Sequence, residues 1–359
     1  MIPNQQESIE NRIANSSIPS KIGKHYAINK LHGDASARSY YRLTQKASNF
    51  LSKDKTYMLM VLPADKPASM AEEITKTKRI VTKLPFLEMQ EHLAKKGVKV
   101  PEVITTDLGH HMLLLEDFGD DLLLTVIDQK QGNTEKLYKL ALDELNKLAV
   151  IGPKDPKESI AFSREFDSDL YMWEFIHFVE YGLDHQIKDF KGSDRGKIVS
   201  EFEKITHKYV SWPKVLCHRD YHSRNVIVLP NGHIGVIDFQ DALQGPLHYD
   251  LVSLLKDSYH DLGRPMQEKL ALYYKDKLGN TQSNDEFLHS FDLMSLHRNL
   301  KAAGRFAFMD IVKKNQNYLK DIPRSLGYVK TTCELHPELK NLKAVLFPYL
   351  ETLMEKYSK

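Results

Sequence analysis

The chain has 359 residues, 27% charged and 42% hydrophobic, and its 50 Lys and Arg against 48 Asp and Glu give a formal charge of +2. This composition excludes a disordered chain, a collagen-like repeat and a disulfide scaffold, and the near-balanced charge gives no reason to expect a nucleic-acid partner. Two cysteines, Cys217 and Cys333, do not make a secreted framework. No window approaches the roughly 18 uninterrupted apolar residues of a membrane span, and the polar start Met1-Ile2-Pro3-Asn4 lacks the basic and apolar regions of a signal peptide, so a cytoplasmic protein is expected.

Residues 1–22 are polar and read as a short helix or tail. Strands follow at 26–28, 40–43 and 56–62. The last is the apolar run Tyr57-Met58-Leu59-Met60-Val61-Leu62, bounded by Pro63. Residues 68–97 read as helical, with Phe86, Met89 and Leu93 at helical spacing and Gly97 as a stop. Pro101 favours extended backbone over 98–103. Met112-Leu113-Leu114-Leu115 reads as a buried strand running into Glu116-Asp117-Phe118-Gly119-Asp120. Helical patterns dominate afterwards, except over 214–240. The expected architecture is α+β and bilobal: a small sheet-and-helix lobe over 23–118 and a larger, mainly helical lobe over 119–359. A cleft between them is where a pocket is expected.

The most informative segment starts at Cys217-His218-Arg219-Asp220 and reaches Asn225. The β-branched run 226–229 is followed by Pro230-Asn231-Gly232 and a second run, 234–237, that ends at Asp238. Asn-Gly between two such runs predicts a hairpin. A hairpin brings its ends together, so Asn225 and Asp238 become neighbours, with Asp220 on the same rim. Two carboxylates and an amide oxygen form a hard site suited to Mg²⁺. A carboxylate not spent on metal can accept a proton from an attacking hydroxyl. His-Arg-Asp, four residues, Asn, and then Asp after a hairpin is the spacing of a kinase catalytic loop.

These residues resemble the phosphotransferase family of aminoglycoside and choline kinases, relatives of the protein kinases. Within that family the chain is similar to the bacterial N-acetylmuramate/N-acetylglucosamine anomeric kinases of cell-wall sugar recycling. The resemblance also rests on Gly33-Asp34-Ala35-Ser36-Ala37-Arg38-Ser39-Tyr40-Tyr41-Arg42, on Leu114-Leu115-Glu116-Asp117-Phe118-Gly119, on Tyr249-Asp250-Leu251, and on His297-Arg298-Asn299-Leu300-Lys301. It implies a protein-kinase-like fold, ATP and Mg²⁺ as cofactors, Asp220 as catalytic base, and Asn225 and Asp238 as metal ligands. Asp250 is expected to anchor the catalytic loop from below.

Gly33, Asp34 and Ser36 are candidates to cradle the nucleotide phosphates, although one glycine also suits a plain turn. Arg38 and Arg42 are candidate phosphate ligands or, equally, solvated strand residues. No lysine lies within 57–62, which departs from the kinase pattern and leaves Glu88 without the usual partner. Glu116 and Phe118 are expected at the adenine. Glu174 and His177 share a helix face with Tyr181, and with Asp241 they are candidate substrate contacts; a core helix with a polar edge explains the same spacing. Small-molecule substrate, ATP and a monomeric state are expected, with neither nucleic acid nor membrane as partner. Two rivals stay open: a kinase for another small alcohol, and a nucleotide-binding pseudokinase.

Overall fold

Five antiparallel strands form the N-terminal sheet: β1 (Ala27–Leu31), β2 (Ser39–Gln45), β3 (Lys55–Val61), β4 (Val103–Asp107) and β5 (Met112–Glu116), in the spatial order β1-β2-β3-β5-β4. This computed structural model describes residues 8–31, 38–47, 53–63, 83–129, 133–150 and 159–358. Gly33, Asp34 and Ser36, and residues 68–82 of the expected helix, lie outside them.

Alternation along β3 and β5 sends side chains to two faces. Leu59, Val61, Met112 and Leu114 meet Ile13, Ile18 and Ile22 from α1 (Ile9–Asn15) and α2 (Pro19–Ile22). The N-terminal residues therefore seal the outer face of the sheet. Met60, Leu113 and Leu115 belong to the main core with Phe86, Met89 and Leu93 of α3 (Pro85–Lys95). The extended stretch expected at 98–103 continues as β4 to Asp107.

The rest of the chain is mainly helical: α4 (Leu123–Asp128), α5 (Thr134–Ala149), α6 (Ser168–Phe178), α7 (Gly192–Val210), α8 (His248–Leu255), α9 (Arg264–Lys277), α10 (Asn284–Ile311), α11 (Ile322–Leu335) and α12 (Lys340–Tyr357). Two short ribbons interrupt the helices. One pairs β6 (Lys214–Cys217) with β9 (Leu243–Pro246), and the other pairs β7 (Val226–Val228) with β8 (Ile234–Val236). A capping box between Ser283 and Glu286 starts α10.

Helix α10 is buried on nearly all sides, between α6, α8 and α11. Gly304 permits the approach to α6, because a Cβ there would lie 2.6 Å from Phe178 Cα. The sheet lobe meets this helical body at several points: Phe86 of α3 stacks on Phe239 at 5.0 Å, Phe118 packs against Ile227 and Leu229, and the Val236 amide donates to the Lys99 carbonyl at 2.8 Å. The class is the expected one, an α+β fold with an N-terminal antiparallel sheet and a mainly helical C-terminal part. Among the described residues, no helix is long and apolar enough to cross a membrane.

Candidate active site

Strand β6 delivers His218 into a loop that is tied down at almost every step. Asp250 of α8 accepts from the amides of His218 (2.6 Å) and Arg219 (2.9 Å). His218 Nε2 lies 2.9 Å from the Ile237 carbonyl. The Tyr221 hydroxyl donates to the Ala141 carbonyl at 2.7 Å, and the Ser223 amide donates to Asp257 at 2.9 Å. Arg219 holds a left-handed φ of 81°, a strained region for a residue with a side chain, and its guanidinium donates to Glu174 at 2.9 Å. Such strain persists where surrounding bonds over-determine it, as here.

Hairpin β7–β8 pairs Val226 with Val236, and the ladder runs one step further, the Ile237 amide donating to the Asn225 carbonyl at 3.1 Å. The Asn225 side-chain amide donates to the Asp220 carbonyl at 2.9 Å. The structure therefore brings Asp220, Asn225 and Asp238 together at the open end of one hairpin. Asp238 also takes left-handed backbone, with φ 64°.

The two carboxylates are tuned in opposite directions. The Asp220 side chain is 38% exposed, 3.2 Å from Lys301 Nζ and 3.8 Å from Arg298. Burial alone would raise its carboxyl, but Lys301 and Arg298 outweigh that and hold it well below the usual carboxylate range. Burial pushes the Asp238 carboxyl up. A hydrogen bond from Gln240 opposes the rise, and the negative charges of Asp220 and Asp241 add to it. Asp250 is pushed up to about 6 by burial.

Gln240 donates to Asp238 (2.9 Å) and Asp241 (3.3 Å), which leaves Gln240 Oε1 and Asp241 Oδ1 buried without a partner. Crowded carboxylates beside orphaned oxygens are the donor set a hard divalent cation takes. The residues present thus fit a metal held by Asn225 and Asp238, with Asp241 within the same cluster.

The nucleotide candidates divide. Arg38 is buried and hydrogen-bonded to Tyr40, and Tyr40 in turn feels the charge of Asp238, so the start of β2 lies close to the carboxylate cluster. Arg42 requires a correction. Its guanidinium donates to Asp117 (2.6 Å) and Asp120 (2.6 Å), so it ties β2 to the segment after β5 and does not offer a free edge to phosphate. Glu116 pairs with Lys99 at 2.9 Å. The Phe118 ring is buried against the β7–β8 hairpin, which leaves only its backbone for a nucleotide. A Cβ on Gly235 would lie 2.6 Å from that ring, so the glycine makes its seat. Glu88 accepts from the Ile160 amide at 2.6 Å.

Glu174 is the second correction. Its side chain is fully enclosed, and its oxygens face Arg219 (2.9 Å), His297 (3.4 Å) and the Tyr249 hydroxyl (3.4 Å). A carboxylate so occupied holds the catalytic loop from beneath and has no edge left for substrate. His177 is nearly buried among Trp173, Tyr181 and Phe308, and its Nε2 has no partner. It remains a candidate substrate contact, as does Asp241.

Sequence reasoning gave no role to Arg298, Lys301 and Arg305. Their signal was present: three cations spaced three and four apart, and so on one face of a helix whose other positions are largely buried.

Comparison with known proteins places the chain in a family. Residues 27–286 match the model of the phosphotransferase enzyme family. A protein of Neisseria meningitidis named N-acetylmuramate/N-acetylglucosamine kinase is 30% identical over 321 residues, 87% of this chain and 87% of that protein. A Pseudomonas aeruginosa protein of the same name is 31% identical, covering 73% of this chain and 77% of its own. Among solved structures, an ethanolamine kinase of Plasmodium vivax superposes with a TM-score of 0.59 at 14% identity, over 86% of this chain and 82% of that one. A choline kinase of Streptococcus pneumoniae gives 0.56 at 13% identity, over 88% and 98%. The chain belongs to the phosphotransferase enzyme family and is an ATP-dependent kinase.

Proposed function

We propose that the protein transfers the γ-phosphoryl group of ATP to the anomeric C1 hydroxyl of N-acetylmuramate or N-acetylglucosamine. The observation that carries the reading is the meeting of Asp220, Asn225 and Asp238 at one hairpin end. The sugar class is supported by the relatives named for it.

In this reading residues 23–118 bind nucleotide and residues 119–359 carry the catalytic and sugar sites. Gly33, Asp34, Ser36 and Arg38 lie over the phosphates, and the backbone at 116–119 meets adenine. Asn225 and Asp238 hold Mg²⁺, which when bound neutralises phosphate charge. Asp220 accepts a hydrogen bond from the sugar hydroxyl and aligns its oxygen. A bond forms from that oxygen to phosphorus, the bond from phosphorus to the β,γ-bridging oxygen breaks, ADP leaves, and the hydroxyl proton passes to Asp220. A carboxylate held so far below its ordinary pKa is a weak base. Its main contribution is orientation, with proton acceptance late, as a loose phosphoryl-transfer transition state allows. A hemiacetal hydroxyl, more acidic than an ordinary alcohol, suits such a base.

The cations beside Asp220 speak against the first rival class. Arg298 and Lys301 would repel a cationic aminoglycoside or choline headgroup. The pseudokinase reading finds no support in a catalytic loop so fully assembled.

The test is direct. Purified protein, ATP and Mg²⁺ are incubated with each sugar, and the product is identified by phosphorus NMR, with Asp220→Asn as control. A sugar 1-phosphate from either sugar, with kcat reduced at least about 10²-fold in the control, is expected. No sugar 1-phosphate from either would overturn the sugar assignment.

A further inference from the structure

A cation in a buried helix needs a partner, because burial penalises an unpaired charge. Two cations of α10 have one. Arg298 donates to Ser253 Oγ at 2.7 Å, and Lys301 lies 3.2 Å from Asp220 and 3.3 Å from the Tyr249 hydroxyl. Arg305, one turn beyond Lys301 on the same face, makes neither hydrogen bond nor ion pair among the described residues. Its guanidinium sits 4.8 Å from the centre of the Phe308 ring, partly open to solvent. Four residues of helix rise about 6 Å, so Arg305 leaves the helix one turn beyond the lysine whose ammonium touches the proposed base.

A second polar group without a partner faces the same ring. His177 of α6 packs 5.3 Å from Phe308, between Trp173 and Tyr181, and is only 8% exposed, with Nε2 buried and unbonded. Burial, and then the charge of Arg305, push its ring down to about 4, so it is a neutral imidazole at neutral pH. Arg305 in turn feels the charge of Asp220. Helices α6 and α10 thus present an unpaired guanidinium and an unbonded imidazole across one aromatic wall, beside the carboxylate that orients the acceptor. That combination suits an anion, which takes a charge-assisted bond from the guanidinium.

The two candidate sugars differ by one such group. N-acetylmuramate carries a lactyl carboxylate on O3, two ring carbons from the reacting C1; N-acetylglucosamine has a hydroxyl there. We infer that Arg305, with His177 beside it, forms the subsite that receives the carboxylate of the acidic sugar and so sets the preference between the two. The inference rests on the proposed sugar-kinase function.

The experiment measures kcat/KM for both sugars, and KM for ATP, in the wild type, Arg305→Gln and Arg305→Lys, with thermal melts of each. Arg305→Gln is expected to lower kcat/KM for N-acetylmuramate about ten- to hundred-fold, and that for N-acetylglucosamine by no more than about threefold, at unchanged KM for ATP. Arg305→Lys is expected to recover part of the loss, because it keeps the charge without the fork. Equal losses for both sugars would overturn the inference in favour of a structural role. A raised KM for ATP would make Arg305 a phosphate ligand, and unchanged kinetics would remove it from the site. A wild type that phosphorylates neither sugar would end the proposed function itself, a result distinct from a wild type that uses both with a ratio indifferent to Arg305.

Discussion

Lys301 Nζ lies 3.2 Å from Asp220 Oδ1 and 3.9 Å from Glu174 Oε1, so one ammonium spans the exposed carboxylate of the catalytic loop and the buried one beneath it. Removing it should change the ionisation of Asp220 before it changes the shape of the loop. In Lys301→Met the Asp220 carboxyl should return toward the ordinary range. The titration of the Asp220 carboxyl, followed directly by NMR, should move up, because Asp238, raised above it, governs the acid limb of the activity. An unmoved titration would mean that Lys301 does not govern Asp220.

Asp238 predicts the opposite sensitivity. Its carboxyl is raised by burial and by the neighbouring charges of Asp220 and Asp241, so it is protonated at pH values where an ordinary carboxylate is already ionised. A metal must displace that proton. The Mg²⁺ concentration giving half-maximal velocity should rise as the solution is acidified, and sooner than an ordinary carboxylate would require. Asp238→Asn should raise it at every pH and remove most of the pH dependence. Titrations of velocity against Mg²⁺ at several pH values check this.

Glu174 tests the difference between holding the loop and touching the sugar. Glu174→Gln leaves the buried Arg219 without its countercharge, and breaking such a pair costs about 3–5 kcal/mol. Chemical denaturation should report that loss, while the ratio of KM values for the two sugars stays near wild type. A selective change in one sugar's KM at full stability would return Glu174 to the substrate site.

Gly304→Ala should be disproportionate to its single methyl. The new Cβ would meet Phe178 Cα at 2.6 Å and the Phe178 amide nitrogen at 2.9 Å, and backbone cannot swing aside as a side chain can. A loss of about 1–3 kcal/mol in urea denaturation is expected. Because α10 also carries Lys301 and Arg305, kcat should fall with it.

Buried histidines set the acid side of the stability profile. Burial pushes His248 down to about 3, and His177 and His297 to about 4, from an ordinary 6.5. Their folded values lie below the unfolded one, so the unfolded chain binds more protons below pH 6.5. The stability they confer is complete above that pH and is lost as pH falls toward 3–4. Each contributes a slope of up to about 1.4 kcal/mol per pH unit. His248→Phe, in a pocket already lined by Phe287 and Trp212, should flatten the slope between pH 6 and 5 by about one proton. An unaltered slope would show that His248 is not neutral in the fold.

The corrections share a cause. Arg42 and Glu174 sit at positions where a residue's type was read correctly and its partner was not. Arg42 meets Asp117, 75 residues away, and Arg219 meets Glu174 across 45. No local pattern records which charges meet when distant segments pack. The lack of a lysine within 57–62, by contrast, was legible at once, although the strand itself begins at Lys55; Glu88 accepts from a backbone amide.

The amino-acid sequence by itself determined the hairpin end at which the reaction is proposed. Asn231-Gly232 between two β-branched runs dictates a hairpin, and a hairpin of that length must bring Asn225 beside Asp238 whatever surrounds it. The tertiary structure alone decided the charge around that end. Lys301 reaches Asp220 across 81 residues because α10 is drawn into the core by apolar burial on almost every side, and burial does not specify in advance which carboxylate its cations will find.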